Sequence, residues 1–337
     1  MIWQKRLTVK NIKLACHMGF PYYAHNSVKL CGLLFLLMLA VVFPAAAQEI
    51  DGELVLRSYL HTFPEKAAMV DNSGGDWFIK LGNDVYYWAG GRLLPPSLLG
   101  EKDSWAPHDF SAYPAEIPTP AEYSREDIER IRRESSAEAR LAQDNRHYGF
   151  FMALYGAATE REAEGLLKGI RFLGRQIRVN NAIAASLERI DSNINRLAAA
   201  DSALKNFLDS IGSAQCYAWR EIRLKRQMSY HSWGMALDIL PKVQGSRAIY
   251  WLWEQNRNDA WMMIPAEQRW QPHQAFIRAF ENEGFVWGGK WELYDNMHFE
   301  FRPELHEMNR LLAAQNSPAP GARAAVGQDL HHLAPVW

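Results

Sequence analysis

Cysteine is nearly absent from this 337-residue chain, which has three: Cys16, Cys31 and Cys216. The first two fall in a stretch that reads as a removable leader, so the remaining chain keeps one. A single thiol forms no internal disulfide and builds no cysteine zinc cluster. Any metal is therefore left to His, Asp or Glu. Acidic residues are missing from positions 1–29, which carry Lys5, Arg6, Lys10, Lys13 and Lys29. A membrane-length apolar run is missing too. CGLLFLLMLAVVF at 31–43 is 13 residues long, short of the about 20 that cross a bilayer. Positive charge is not in excess either. Without residues 1–47, Lys and Arg fall from 37 to 32 against 38 Asp and Glu, a net charge of −6. That balance gives no support for nucleic-acid binding. There are no internal repeats.

What is present at the start is ordered. A basic segment, a short apolar core and then PAAAQ follow one another, the order of a secretory signal peptide. Cleavage is expected after Ala47, with export to the periplasm or cell envelope and no stable membrane span afterwards. An uncleaved anchor is the competing reading. The basic segment is long, which makes Met18 an alternative start. Cys31 precedes the apolar core and is badly placed for lipid attachment.

Residues 48–123 read as an N-terminal extension, weakly patterned over 48–75. DWFIKLGNDVYYWAGGRLLP at 76–95 has two strand-like runs around Gly82-Asn83-Asp84, the pattern of a hairpin. A Pro-rich stretch over 95–123 reads as a linker or wrapping loop. Ser124 opens SREDIERIRRESSAEARLAQ with an N-cap and an acidic first turn, which predicts a helix. Helical periodicity continues with breaks to about Ser210, including ATEREAEGLLKGIRFL. AQCYAWREIRL is strand-like, 272–283 reads as a helix, and MHFEFR as an apolar strand. Residues 124–310 thus read as one unit, a helical lead-in followed by the segment that carries the candidate chemistry. Residues 311–337, rich in Ala, Pro and Gly, are expected to be a disordered tail.

The chemistry concentrates in the second half. SYHSWGMALDIL, from Ser229 to Leu240, places Asp238 inside an apolar run. A bare carboxylate buried there costs several kcal/mol or sits protonated, so Asp238 needs a partner. His231 lies seven residues earlier, with Gly234 between them to let the chain turn. A second apolar strand carries His298. One carboxylate and two imidazoles suit Zn²⁺, with a fourth position open to water, the pattern of catalytic rather than structural sites. A proton acceptor that is not a ligand is then required. Asp295, three residues before His298, fits by position; Glu300, two residues after it, is the competitor and otherwise suits orienting a ligand or an arginine. A lone histidine is more often structural, and His61, His108, His147, His273, His306, His331 and His332 keep that reading. Trp233, Trp251, Trp253, Trp261, Trp270, Trp287 and Trp291 crowd this half. Most read as core, with Trp291 and Tyr294 as candidate walls of a cleft.

SYHSWGMALDI follows the pattern Ser-x-His-x-x-Gly-x-Ala-x-Asp, and DNMHFE follows carboxylate-x-x-His-Phe. Together, over roughly 150–305, they resemble the zinc D-alanyl-D-alanine carboxypeptidase family with its VanX- and VanY-like enzymes, closest to the L-alanyl-D-glutamate endopeptidase branch. The resemblance implies one zinc per chain on His231, Asp238 and His298. It implies Asp295 as general base where many members have Glu, a departure that favours the endopeptidase branch. It also implies an upstream arginine that contacts the substrate carbonyl. Arg220 matches that place in CYAWREIRLKRQMSYH, with Arg223 and Arg226 as rivals. The implied fold is α+β, a small antiparallel sheet with flanking helices, shared with the hedgehog signalling domain. The expected function is hydrolysis of a peptide bond in peptidoglycan stem peptides. The alternatives are a D-alanyl-D-alanine carboxypeptidase and a non-catalytic zinc-stabilised wall-binding module.

Overall fold

A computed structural model describes residues 51–72, 75–142, 145–220 and 228–316. The expected signal peptide at 1–47, Arg223, Arg226 and the tail from 317 lie outside the described residues. No helix among the described residues is long and apolar enough to cross a membrane.

The chain opens with α1 (Gly52–Thr62), where Asp51 accepts a hydrogen bond from the Glu53 amide at 3.0 Å and caps the first turn. Leu54, Val55, Leu56 and Tyr59 are all buried. Consecutive burial of this kind blurs the 3.6-residue period, and the helix does not stand out in the sequence. Strands β1 (Ala67–Asp71), β2 (Phe78–Leu81) and β3 (Asp84–Tyr87) form an antiparallel sheet in that order. The β2–β3 hairpin turns where Gly82-Asn83 predicts it, and β1 adds a strand the sequence does not announce. The Pro-rich stretch wraps the body. Tyr113 donates through its hydroxyl to Glu281 at 2.6 Å and accepts there from the Trp287 amide at 3.0 Å.

Helix α2 (Arg125–Ser135) starts at a capping box between Ser124 and Asp127, as its sequence predicts. Short helices α3 (Ala137–Ala142), α4 (Gly149–Tyr155) and α5 (Glu160–Gly165) follow. The helical reading then fails. Leu167–Phe172 (β4) and Arg175–Asn180 (β5) form an antiparallel hairpin, not a helix. Ile170, Phe172, Ile177 and Val179 are buried in strand alternation. A short apolar run such as LLKGIRFL matches both periods. The turn decides, because Gly174 supplies φ +72. Helix α6 (Asn181–Ala198) is capped by the Asn180 side chain, and α7 (Ser202–Ser210) by Asp201.

The sheet that matters for chemistry comes next. Strands β6 (Ile211–Gln215), β7 (Ala236–Pro241), β8 (Phe285–Trp287) and β9 (His298–Phe301) are antiparallel in the order β6-β7-β9-β8. Between β7 and β8 lie α8 (Trp251–Gln255) and α9 (Gln274–Glu281), and after β9 comes α10 (Pro303–Asn316). Strand β6 begins before the predicted AQCYAWREIRL, and α10 runs six residues past the predicted boundary at 310. Phe276 and Phe280 on α9 pack on Phe299 of β9, with the Phe280 and Phe299 rings 4.3 Å apart. Each such fully buried ring contributes about 1.5–3 kcal/mol. The architecture is α+β, with helices flanking small antiparallel sheets. Helix α1 lies along α10, and one core cluster takes in Leu54 and Tyr59 together with Ile239 and Phe299.

Candidate metal centre

The β7–β9 register sets Asp238 directly opposite His298, so both side chains project from one face. His231 arrives from a 3-10 turn over Tyr230–Trp233. The Ser229 hydroxyl caps that turn, accepting from the His231 amide at 3.3 Å. Gly234 ends it at φ +65, and a Cβ there would stand 2.8 Å from the Asn180 nitrogen and from Leu167. Only glycine closes the turn so tightly against β5.

Three ligand atoms then converge. His231 Nε2 is 3.2 Å from Asp238 Oδ1, His298 Nδ1 is 2.9 Å from the same oxygen, and the two nitrogens are 3.3 Å apart. Ligand atoms at 2.0–2.1 Å from a tetrahedral zinc lie about 3.3 Å from one another. The triangle therefore has the size of one face of a zinc tetrahedron. The far side of each ring fixes which nitrogen faces inward. His231 Nδ1 donates to the Cys216 carbonyl at 2.5 Å, and His298 Nε2 donates to Glu300 Oε1 at 3.0 Å. These are the partners that orient metal-ligating imidazoles. Among the described residues, His231, Asp238 and His298 are the group whose donor atoms all lie within 4.8 Å of one another.

The charges are strongly coupled. Burial pushes the Asp238 carboxyl up, but hydrogen bonds from His231 and His298 win and hold it well below the usual range. Burial opposes charge on His298, yet Asp238 and Glu300 together raise it well above an ordinary imidazole. Asp295 behaves in the opposite way. Burial raises its carboxyl to about 7, His298 opposes the rise, and Asp238 and Glu300 add to it. Its backbone is pinned by the Gly288 carbonyl at 2.9 Å and the His298 amide at 3.1 Å. Its Oδ1 is buried with no hydrogen-bond partner among the described protein atoms. An orphaned carboxylate oxygen beside a ligand triangle fits a site that takes a cation and a water. Arg220 stands at the rim, its side chain 55% exposed and its Nη2 3.6 Å from Asp238 Oδ2. Its backbone amide donates to the Ser232 hydroxyl oxygen at 3.0 Å, which ties it to the turn holding His231.

Residues 223–301 match the family model for D-alanyl-D-alanine carboxypeptidase. The matched span includes His231, Asp238, Asp295 and His298. It supports a peptidase acting on peptidoglycan in general terms, of a family that uses zinc, and the His-Asp-His cluster can hold a metal. Residues 55–110 match a domain of unknown function. No curated protein and no solved structure matches the chain.

The structure thus brings together the three residues that the resemblance pairs with zinc, sets Asp295 beside them without making it a donor of the triangle, and puts Arg220 at their edge. Glu300 hydrogen-bonds His298 and receives Arg302 Nη1 at 3.4 Å. Trp291 lies against His298, ring centroids 5.8 Å apart. Tyr294 does not wall the cleft. It is fully buried with Trp251 and Trp261, beneath the Arg269 guanidinium at 4.0 Å. Two participants escaped the sequence reading. The Cys216 carbonyl left no signal, because every residue offers one. Arg302 did leave one, since His298, Glu300 and Arg302 alternate at i, i+2 and i+4, the spacing of one strand face.

Proposed function

We propose that the chain is a zinc metallopeptidase that hydrolyses a peptide bond in peptidoglycan stem peptides, with L-alanyl-D-glutamate endopeptidase as the preferred activity. The observation that carries this reading is the zinc-sized triangle of His231, Asp238 and His298 beside the unpartnered Asp295 oxygen. When bound there, zinc supplies Lewis-acid activation of a water and polarisation of a carbonyl. Asp295 Oδ1 takes the proton of the attacking water and returns it to the leaving amine. Its raised carboxyl suits both halves of that task near neutral pH. The exposed guanidinium of Arg220 reaches inward to the carbonyl oxygen as charge develops on it. Trp291 packs against one side of the His298 ring.

The preference for the endopeptidase rests on Asp295, where many relatives of the carboxypeptidase family have the longer Glu. Incubation of residues 48–337 with defined muropeptides, read by mass spectrometry, should release L-alanine-terminated fragments. Release of terminal D-alanine instead would make the chain a D-alanyl-D-alanine carboxypeptidase. Zinc uptake with no product would make it a wall-binding module.

The substrate class and the basic-then-apolar leader both support export to the periplasm or envelope. N-terminal sequencing of the protein from its native host should find Gln48 first. A terminus at Met1 or Met18 would replace export of a cleaved protein with an anchored one.

A further inference from the structure

Behind His298, on the side away from the metal triangle, lies a line of buried ionisable groups. Glu300 accepts from His298 on one oxygen and from Arg302 Nη1 on the other, at 3.0 and 3.4 Å. Arg302 Nε donates to Glu304 Oε1. The Tyr59 hydroxyl donates to that same Glu304 oxygen at 3.3 Å, reaching across from α1. The Arg302 guanidinium also lies over the Tyr230 ring at 4.9 Å, next in sequence to His231. Tyr59 is fully buried, Glu304 is 1% exposed and Arg302 is 9% exposed.

Such a line is an expensive way to fill a core. Desolvating a carboxylate–guanidinium pair costs about as much as the pair returns, and apolar residues of equal volume often stabilise more. What it does provide is direction. Glu304 holds Arg302 in one orientation, Arg302 holds Glu300, and Glu300 fixes the ring of a proposed zinc ligand. Arg302 touches the segments of both histidines at once, through Glu300 and through Tyr230.

We infer that Tyr59, Glu304 and Arg302 are positioning residues of the metal centre, which makes the N-terminal helix part of its support. The inference rests on the zinc reading above. It gives a role to the start of the segment matching a domain of unknown function, since Tyr59 lies within 55–110. Arg302 and Glu304 lie beyond the matched residues 223–301, so the relay's three positioning residues stand outside that match and reach it through Glu300 and Tyr230.

The test uses the chain from residue 48, with zinc affinity measured by chelator competition and ligand geometry by the visible spectrum of the cobalt-substituted protein. Glu304→Gln should weaken zinc on the order of 10-fold, the low end for groups that orient metal ligands, and should shift the cobalt bands. Tyr59→Phe removes one hydroxyl at constant shape and should move both readouts in the same direction by less. His61→Ala, which cuts the surface contact between α1 and α10 at Glu307, should leave both unchanged. If Glu304→Gln does not fold, Tyr59→Phe decides. Should the unaltered chain take up no zinc, the metal reading itself fails. Should it bind zinc while Tyr59→Phe and Glu304→Gln match it in affinity and spectrum, the relay is overturned, whatever the variants do to thermal stability.

Discussion

Asp238 and Asp295 are the same residue type in one cleft, yet their environments push them apart. Two imidazoles keep Asp238 ionised, while burial and two neighbouring carboxylates bring Asp295 to about 7. Carboxylates separated in this way take different roles. Asp295→Asn removes the proton acceptor and leaves the triangle whole. Turnover should fall by about two to four orders of magnitude with zinc content near normal. Glu300→Gln should cost less, roughly 10–100-fold, and mostly through metal affinity. If Asp295→Asn keeps turnover while Glu300→Gln abolishes it, the two roles are exchanged. The pH dependence has a definite sign. The base works ionised, so activity is lost as pH falls through its pKa, which a bound cation draws below 7. In protein stripped of metal, the folded state keeps the Asp295 proton that the unfolded chain gives up near pH 4. Its contribution to stability therefore declines between about pH 4 and 7, by up to a few kcal/mol. Urea unfolding at both ends of that window should show a smaller decline in Asp295→Asn. At this scale the sequence was informative about which residues meet, because joint spacing singles them out. It said nothing of which atoms meet, since that depends on the Cys216 carbonyl and the Glu300 carboxylate behind each ring.

Elements were legible where one signal dominated. Strand β7 is an apolar run interrupted by Asp238 alone, and β9 alternates His298 and Glu300 with Phe299 and Phe301. Helix α9 shows its period in Phe276, Ile277 and Phe280, all buried on one side. The β2–β3 hairpin announces itself by its turn. The misses have physical causes of two kinds. LLKGIRFL fits a helix and a strand equally well, and only its pairing with β5 across the Leu173-Gly174 turn settles the matter. Helix α1 is buried at Leu54, Val55 and Leu56 in succession, because β1, β2 and α10 surround it. An element packed on several sides loses the polar face that makes periodicity visible.

The whole molecule differs from its parts in one respect that bears on function. A boundary between an extension ending at 123 and a domain starting at 124 suits the Pro-rich stretch. Yet residues on either side share one buried cluster, and Tyr59 of α1 meets Glu304 of α10. A ligand that binds only the folded state stabilises it by about 2.7 kcal/mol at 100 times its dissociation constant. That gain reaches every amide whose exchange needs the cooperative opening of the body, and misses those released by local fraying. Zinc should therefore slow hydrogen exchange in α1 along with β7 and β9, although α1 contributes no metal ligand. The exposed turn over Pro96–Ser104, which buries no side chain, should exchange at the same rate with and without zinc. Mass spectrometry of peptides from the stripped and the zinc-loaded chain makes the comparison. Slowing confined to β7, β9 and the His231 turn would mean that α1 opens independently, and that the metal centre stands without it.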